Sequence, residues 1–189
     1  MGAVPSLSLP SGVTCRNDCE CAVKCYAKRL ERLRPSVRMA YQTNLDLLCS
    51  HPEVFWRETE AAVMMSRFFR FHVAGDIPDM QYLINLIRIA QRNKHCTILC
   101  FTKKYGIVND YIWLNGIPPQ NLRLIFSIWR GLTVDNPYRL PEAHVRYKDG
   151  TTTAAETAYL CSGNCAECAV TDSGCWTLGS GEQVVFNEH

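Results

Sequence analysis

Two groups of four cysteines are the residues of this chain best suited to chemistry. Eleven of its 189 residues are cysteine. The two groups, named here the first and the second quartet, are Cys15, Cys19, Cys21 and Cys25, and Cys161, Cys165, Cys168 and Cys175. Thiols are reactive and easily oxidised, so groups this dense act as disulfides, as metal ligands or in redox chemistry.

The sequence context favours metal ligands over disulfides. Residues 1–13 carry no charged or continuously apolar segment, so we expect no secretory signal and a reducing cytoplasm. An odd total of eleven cysteines also leaves at least one thiol unpaired in an all-disulfide scheme. We therefore expect all eight quartet cysteines to be metal ligands. The other three, Cys49, Cys96 and Cys100, lie among apolar residues and are expected to be buried small hydrophobes.

The spacing of the quartets suits an iron–sulfur cluster or zinc. The first quartet has the pattern C-x3-C-x-C-x3-C and the second has C-x3-C-x2-C-x6-C. Iron–sulfur clusters accept looser spacing than the C-x2–4-C knuckle of zinc, because several irons share the ligands. We favour iron–sulfur, most plainly a 4Fe–4S cluster, with zinc as the alternative. Spacing alone allows two separate sites or one pooled site.

The first three cysteines of the second quartet have a more specific spacing. Cys161, Cys165 and Cys168 form the C-x3-C-x2-C pattern of radical-SAM enzymes, in which three cysteines hold a 4Fe–4S cluster and one iron stays open. S-adenosylmethionine would then be a further cofactor. In those enzymes the motif follows the first strand of the barrel, whereas here it lies near the carboxyl end of the chain.

The segment between the quartets must position these groups, and its pattern predicts βαβ units. Residues 67–74, 96–101 and 122–129 are rich in aromatic and aliphatic residues and predict strands. Between them, residues 80–91 and 107–114 predict helices, the first with apolar residues at helical spacing. This alternation predicts right-handed βαβ units and a parallel sheet.

We predict an α/β fold, a mainly parallel sheet or partial (βα) barrel, with the whole chain 1–189 as a single domain. Its length allows a substantial core, and its 47% hydrophobic content is ordinary for a globular protein. Residues 1–66 form the cysteine-rich arm and helices, 67–130 the βαβαβ core, and 131–189 short strands and the second quartet. The flanking elements predicted are helices at 26–33, 36–48 and from about Pro52, and strands at 143–147, 157–160 and 184–186.

Polar side chains lie where the predicted strands end. His72 and Asp76 close the first strand, and Lys103 follows the second. In parallel α/β proteins these carboxyl ends carry the binding groups, so we predict that the three residues line a cofactor or substrate pocket. The competing interpretation is that His72 is an interior histidine and Asp76 caps the next helix. No residue is assigned a catalytic role.

The charge balance gives little support to a nucleic-acid partner. The formal net charge is +2, and the cations of residues 24–38 predict a solvated helix face. No stretch approaches the length needed to cross a bilayer, so no membrane partner is expected.

Several short elements resemble the phage and plasmid gene product eighty-eight family. They occur in one order over nearly the whole chain: Thr14-Cys15, Cys21-x3-Cys25-Tyr26-Ala27, Arg70 to Asp76, Phe101-Thr102-Lys103, Asn121 to Leu124 with Ser127, Cys165-x2-Cys168, Cys175-Trp176, and Val185-Phe186 with His189. The resemblance implies a cytoplasmic, phage- or plasmid-encoded protein whose cysteine core resembles a metal or cluster site. It further implies a fold similar to a partial radical-SAM-like barrel.

The function expected is therefore that of an iron–sulfur protein, in its most specific form a radical-SAM-like enzyme. The alternatives are a non-enzymatic zinc module that binds a protein or nucleic acid, and an electron-transfer protein.

Overall fold

A parallel sheet forms the centre of the molecule. The computed structural model describes residues 4–188, so the terminal His189 of the family resemblance lies outside the described residues. The described strands are β1 (Ser6–Leu7), β2 (Phe68–Phe71), β3 (Thr97–Thr102), β4 (Leu122–Ser127), β5 (Glu142–Arg146), β6 (Tyr159–Leu160) and β7 (Gln183–Asn187). Their order is β1-β2-β3-β4-β5-β7-β6, and all neighbouring pairs run parallel. The predicted α/β fold is confirmed.

Helices connect most of these strands. They are α1 (Glu20–Val23), α2 (Tyr26–Leu33), α3 (Pro35–Ser50), α4 (Pro52–Met64), α5 (Met80–Arg92), α6 (Tyr105–Asn115) and α7 (Cys165–Thr171), with a 3-10 turn at Gly174–Trp176. Prolines open α3 and α4, where the missing N–H costs no hydrogen bond. No helix within residues 4–188 is long and apolar enough to span a membrane.

The two faces of the sheet are covered by different kinds of segment. On the face named here the helical face, Phe71, Cys100 and Phe126 pack against α4, α5 and α6. On the opposite face, the cysteine face, Leu99 and Ile125 pack against α7 and the 3-10 turn. Successive strand residues point to opposite sides, so each central strand serves both cores. The second quartet is thereby held against the sheet.

The strand predicted over 67–74 ends early. β2 stops at Phe71, because the backbone turns into the left-handed region at His72, with φ +61°, and again at Gly75, with φ +82°. Residues 72–76 therefore form a loop at the carboxyl edge of the sheet.

Gly75 brings the first cysteine-bearing segment against this loop. A Cβ at residue 75 would lie 2.8 Å from Leu9 Cβ, 2.9 Å from Leu9 O and 3.0 Å from Thr14 Oγ1. Leu9 N also donates a hydrogen bond to Ala74 O at 3.1 Å. The chain entering the first quartet thus crosses directly over residue 75.

The three cysteines outside the quartets do not all lie in the core. Cys96 and Cys100 are buried, as predicted. Cys49 is exposed, so the prediction for this residue was wrong. It lies on α3, a helix on which no residue is fully buried, since only its partly buried leucines reach the core.

The substitution Gly75→Ala should lower the free energy of unfolding by more than the strain of a left-handed alanine backbone alone. Gly131→Ala is the matched control, since Gly131 has φ +81° and nothing within 4 Å of its Cβ position. The control should lose about 1–2 kcal/mol through backbone strain, and Gly75→Ala about 1–3 kcal/mol more through overpacking. Urea denaturation measures both, and equal losses would contradict the close approach.

Candidate metal centres

The second quartet forms one group of thiols on the cysteine face. Cys161 follows β6, Cys165 and Cys168 lie on α7, and Cys175 lies in the 3-10 turn. Burial raises the pKa of the Cys175 thiol to about 12, and the nearby charges of Cys161, Cys165 and Cys168 add to that rise. Cys161, Cys168 and Cys175 belong to the packed cluster of this face, and Cys165 contacts Arg70 on the same face.

Hydrogen-bond donors are directed at these sulfur atoms. Gly163 N donates to Cys161 Sγ at 3.3 Å, and Arg70 Nη1 donates to Cys165 Sγ at 3.4 Å. The Ser162 hydroxyl lies 3.8 Å from Cys168 Sγ. Such contacts stabilise negative charge on a metal-bound thiolate and tune an iron–sulfur cluster.

Gly174 allows the backbone to pack closely against the second quartet. A Cβ at this position would lie 3.2 Å from Cys168 Sγ and 3.1 Å from Tyr159 Cε1, and its φ of +61° also favours glycine. The turn can therefore close over the thiols only without a side chain here.

Trp176 fixes the cysteine-bearing segment to the sheet. Its indole Nε1 donates to Cys165 O at 3.2 Å, and its ring centroid lies 5.0 Å from that of Phe68. Arg123 Nε on β4 donates to Trp176 O at 3.0 Å. A packed aromatic ring and two hydrogen bonds thus position the second quartet.

Arg70 supplies positive charge to this site, a role that sequence reasoning missed. It lies on β2, on the opposite side from Phe69 and Phe71. Its guanidinium carbon lies 5.2 Å from the Phe101 ring centroid, and its charge opposes the rise in the pKa of Cys175. The sequence did contain a signal for this role, because Arg70 is a charged residue within an otherwise aromatic strand.

The first quartet lies at the carboxyl edge of the sheet. Cys19 is the N-cap residue of α1, Cys21 lies within α1, and Cys25 is the N-cap residue of α2. Cys21 and Cys25 thus belong to different helices and do not share one helix face. The Cys19 and Cys21 sulfur atoms lie 2.9 Å apart. Burial raises the pKa of Cys21 to about 12, and the charge of Lys103 opposes that rise.

Asp76 connects two strand ends with the first quartet. Its Oδ1 accepts a hydrogen bond from Thr102 Oγ1 at 2.6 Å, and its Oδ2 accepts one from Lys103 N at 2.9 Å. Its own N–H donates to Thr14 Oγ1 at 2.9 Å. Burial raises the pKa of Cys15. The negative charge of Asp76 raises that pKa further, and the positive charge of Lys103 lowers it. Asp76 and Lys103 therefore lie beside the first quartet.

A different aspartate caps the following helix. The side chain of Asp79 accepts from Tyr82 N at 2.8 Å at the start of α5. The alternative interpretation of Asp76 as this cap was wrong, because its carboxylate is engaged by Thr102, Lys103 and Ile77 N.

His72 lies in the core of the helical face, apart from the thiols of both quartets. Its Nε2 lies 3.0 Å from the Tyr82 hydroxyl, and its Nδ1 lies 3.6 Å from Cys100 Sγ. Burial lowers the pKa of His72 to about 3, so its ring is neutral at neutral pH. Of the three predicted pocket residues, only Asp76 and Lys103 are brought together.

Tyr26 follows Cys25 of the first quartet and lies at the carboxyl edge of the sheet. Partial burial raises the pKa of Tyr26, and charges on Cys25 of the first quartet and Cys165 of the second add to this rise. Its hydroxyl donates to Val73 O at the carboxyl edge.

The cysteine side chains described in residues 4–188 do not surround a position for a metal ion. Within residues 4–188, no group of three or more Cys, His, Asp or Glu side chains is arranged so that it could hold a metal ion. All eleven cysteines are free thiols. Thiolate sulfur is the ligand type that soft metal ions prefer, and hydrogen-bond donors to sulfur are typical of the surroundings of such ligands.

Comparison with protein families identifies the chain. A family model described as Gene product 88 matches residues 2–146. The chain belongs to the gene product 88 family. The part matched by the gene product 88 model contains the first quartet and Arg70, and it ends before the second quartet, so the later elements of the resemblance lie beyond the match. Comparisons with curated proteins and with solved structures give no match.

The neutral, buried His72 should make the fold sensitive to acid. Its pKa is about 3 in the folded chain against an ordinary value of 6.5. Below that ordinary value the unfolded chain binds a proton that the folded chain does not bind. Stability should therefore be complete above pH 6.5 and fall toward pH 3, by up to about 1.4 kcal/mol per pH unit.

His72→Asn tests this dependence, since asparagine tolerates the left-handed backbone. Urea denaturation at several pH values should give a shallower loss of stability on acidification than in the wild type. His51→Gln, at an exposed position, is the control and should keep the wild-type slope. A wild-type slope in His72→Asn would contradict the assignment.

Proposed function

We propose that this protein binds iron–sulfur clusters through its two cysteine quartets. The observation that carries the proposal is the second quartet, whose cysteines lie on one face of the sheet and receive hydrogen bonds to sulfur from Gly163 and Arg70. Such a cluster, when bound, would accept and donate single electrons. The protein would supply the thiolates, the compensating charge and a covered sheet face.

The positions of the thiols support two sites rather than one, because Cys19, Cys21 and Cys25 lie on α1 and at the start of α2, whereas the second quartet belongs to the cysteine face. The charges that act on Cys15 and Cys21 come from the first quartet, Asp76 and Lys103. Those that act on Cys161 and Cys175 come from the second quartet and Arg70. Lys103, at the end of β3, is therefore the cation beside the first quartet, and Arg70, on β2, is the cation beside the second.

The size of the core favours iron–sulfur over a structural zinc. Structural zinc is typical of small domains that cannot bury enough apolar surface to fold alone. Here two apolar cores flank the sheet, and the larger one contains no quartet cysteine. The fold thus has a source of stability that does not depend on a metal.

The most specific form of the proposal is a cytoplasmic radical-SAM-like enzyme. It is supported by the C-x3-C-x2-C spacing of Cys161, Cys165 and Cys168 and by the parallel α/β sheet behind them. S-adenosylmethionine would be its second cofactor. Cleavage of S-adenosylmethionine by the chemically reduced protein tests this form, and absence of both binding and cleavage would refute it.

Metal analysis of anaerobically purified protein tests the proposal itself. The wild type should contain iron and acid-labile sulfide and absorb visible light through sulfur-to-iron charge transfer. Cys161→Ala/Cys165→Ala should lose the iron of one site, and Cys15→Ala/Cys25→Ala that of the other, because each removes two ligands of four.

Cys49→Ala is the matched control, since this cysteine is exposed and outside both quartets. It should keep the full iron content. A colourless protein with stoichiometric zinc would support the zinc module instead. Full iron content in both double variants would rule out the quartets as ligands.

A further inference from the structure

A cleft opens at the carboxyl edge of the sheet, beside the first quartet. Its volume is about 600 Å³, within the range of small-molecule sites. Its walls come from residues 23–32 around α1 and α2, and from residues that follow β4, β5 and β7. In parallel α/β folds, ligands bind at this edge. The thiol-bearing Cys25 lies in the same wall.

Positive charge exceeds negative charge in this cleft. Two of its cations are neutralised within the wall, because Lys24 pairs with Glu188 at 2.6 Å and Arg130 pairs with Asp149 at 3.0 Å. The three remaining cations are Arg29, Arg32 and Lys148. None of these three has an ion pair within residues 4–188. A surplus of three positive charges therefore faces the cavity.

The cleft also has an aromatic component. Tyr26 and Tyr147 lie in its wall, and the accessible ring is that of Tyr26, which is 38% exposed, whereas Tyr147 is only 7% exposed. The Arg130 guanidinium lies 4.0 Å from the Tyr147 ring centroid, which fixes it at the side of the cavity. Cations beside ring surfaces are the combination with which proteins bind the phosphates and bases of nucleotides. The volume also exceeds what a phosphate group alone would fill.

We propose that this cleft binds a phosphate-bearing ligand of nucleotide size. Arg29, Arg32 and Lys148 hold the phosphates, for which arginine offers paired N–H donors. The organic part of the ligand fills the rest of the cavity. The source is either a free nucleotide or the end of a single nucleic-acid strand, which share this chemistry. The proposal does not depend on a bound metal.

Isothermal titration calorimetry on the full-length protein tests the proposal. ADP should bind saturably at one site, and adenosine and inorganic pyrophosphate should each bind at least about tenfold more weakly, since each lacks one half of the recognised group. A short single-stranded oligonucleotide is the polymeric probe. Tighter binding of ADP identifies a free nucleotide as the source, and tighter binding of the oligonucleotide identifies a strand end.

Paired variants separate the cleft from general surface charge. Arg29→Gln/Arg32→Gln should weaken ADP binding by about tenfold or more, because two charge-assisted contacts are lost. Arg34→Gln/Arg38→Gln removes two exposed cations outside the cleft and should leave binding unchanged within about twofold. All four arginines are exposed, so folding should be retained, which the urea midpoint checks.

Three results would overturn the proposal. They are no saturable binding of ADP or oligonucleotide, binding of adenosine or pyrophosphate as tight as that of ADP, and equal weakening by both double variants. None of these results bears on the iron content of the quartets, so the two proposals succeed or fail separately.

Discussion

The buried carboxylate of Asp76 is the interaction on which the carboxyl edge of this sheet depends. It accepts hydrogen bonds from Thr102 and Lys103 at the end of β3, while its own N–H bonds Thr14. A buried carboxylate without such partners would cost several kcal/mol, so these groups hold one another in place. The loop after β2, the end of β3 and the entry to the first quartet consequently form one unit. Gly75 permits it, because any side chain there would displace the Leu9 segment.

The parallel sheet places the two quartets in different ways. The first lies at the carboxyl edge, beside Lys103. The second lies on the cysteine face, held by Trp176 and facing Arg70. In each case a residue of β2 or of the β3 end supplies positive charge where metal-bound thiolates would concentrate negative charge. The basic cleft adjoins the first quartet through Cys25, so a ligand bound there would lie beside a proposed metal site.

Much of the scaffold could be predicted from sequence, and the site only in part. Helix α2 has the predicted bounds, and β3 and β4 were recognised by composition, because these elements are long enough to show a pattern. β1, α1 and α7 are too short to show a periodic pattern of apolar residues in the sequence. The interior position of His72 was the competing interpretation and is confirmed, and its direct cause, the left-handed backbone after β2, has no signal in the sequence. The cleft could not be predicted because its cations come from segments far apart in the sequence. Tertiary ion pairs also decide which of these cations are neutralised.

We propose that the quartet thiolates hold the metal, and X-ray absorption at the metal edge measures this most directly. The full-length protein, purified without oxygen, should show iron with sulfur as its only nearest neighbours and with iron in the next shell. A first shell of oxygen or nitrogen would contradict the account, as would metal-free protein whose quartet cysteines are joined as disulfides.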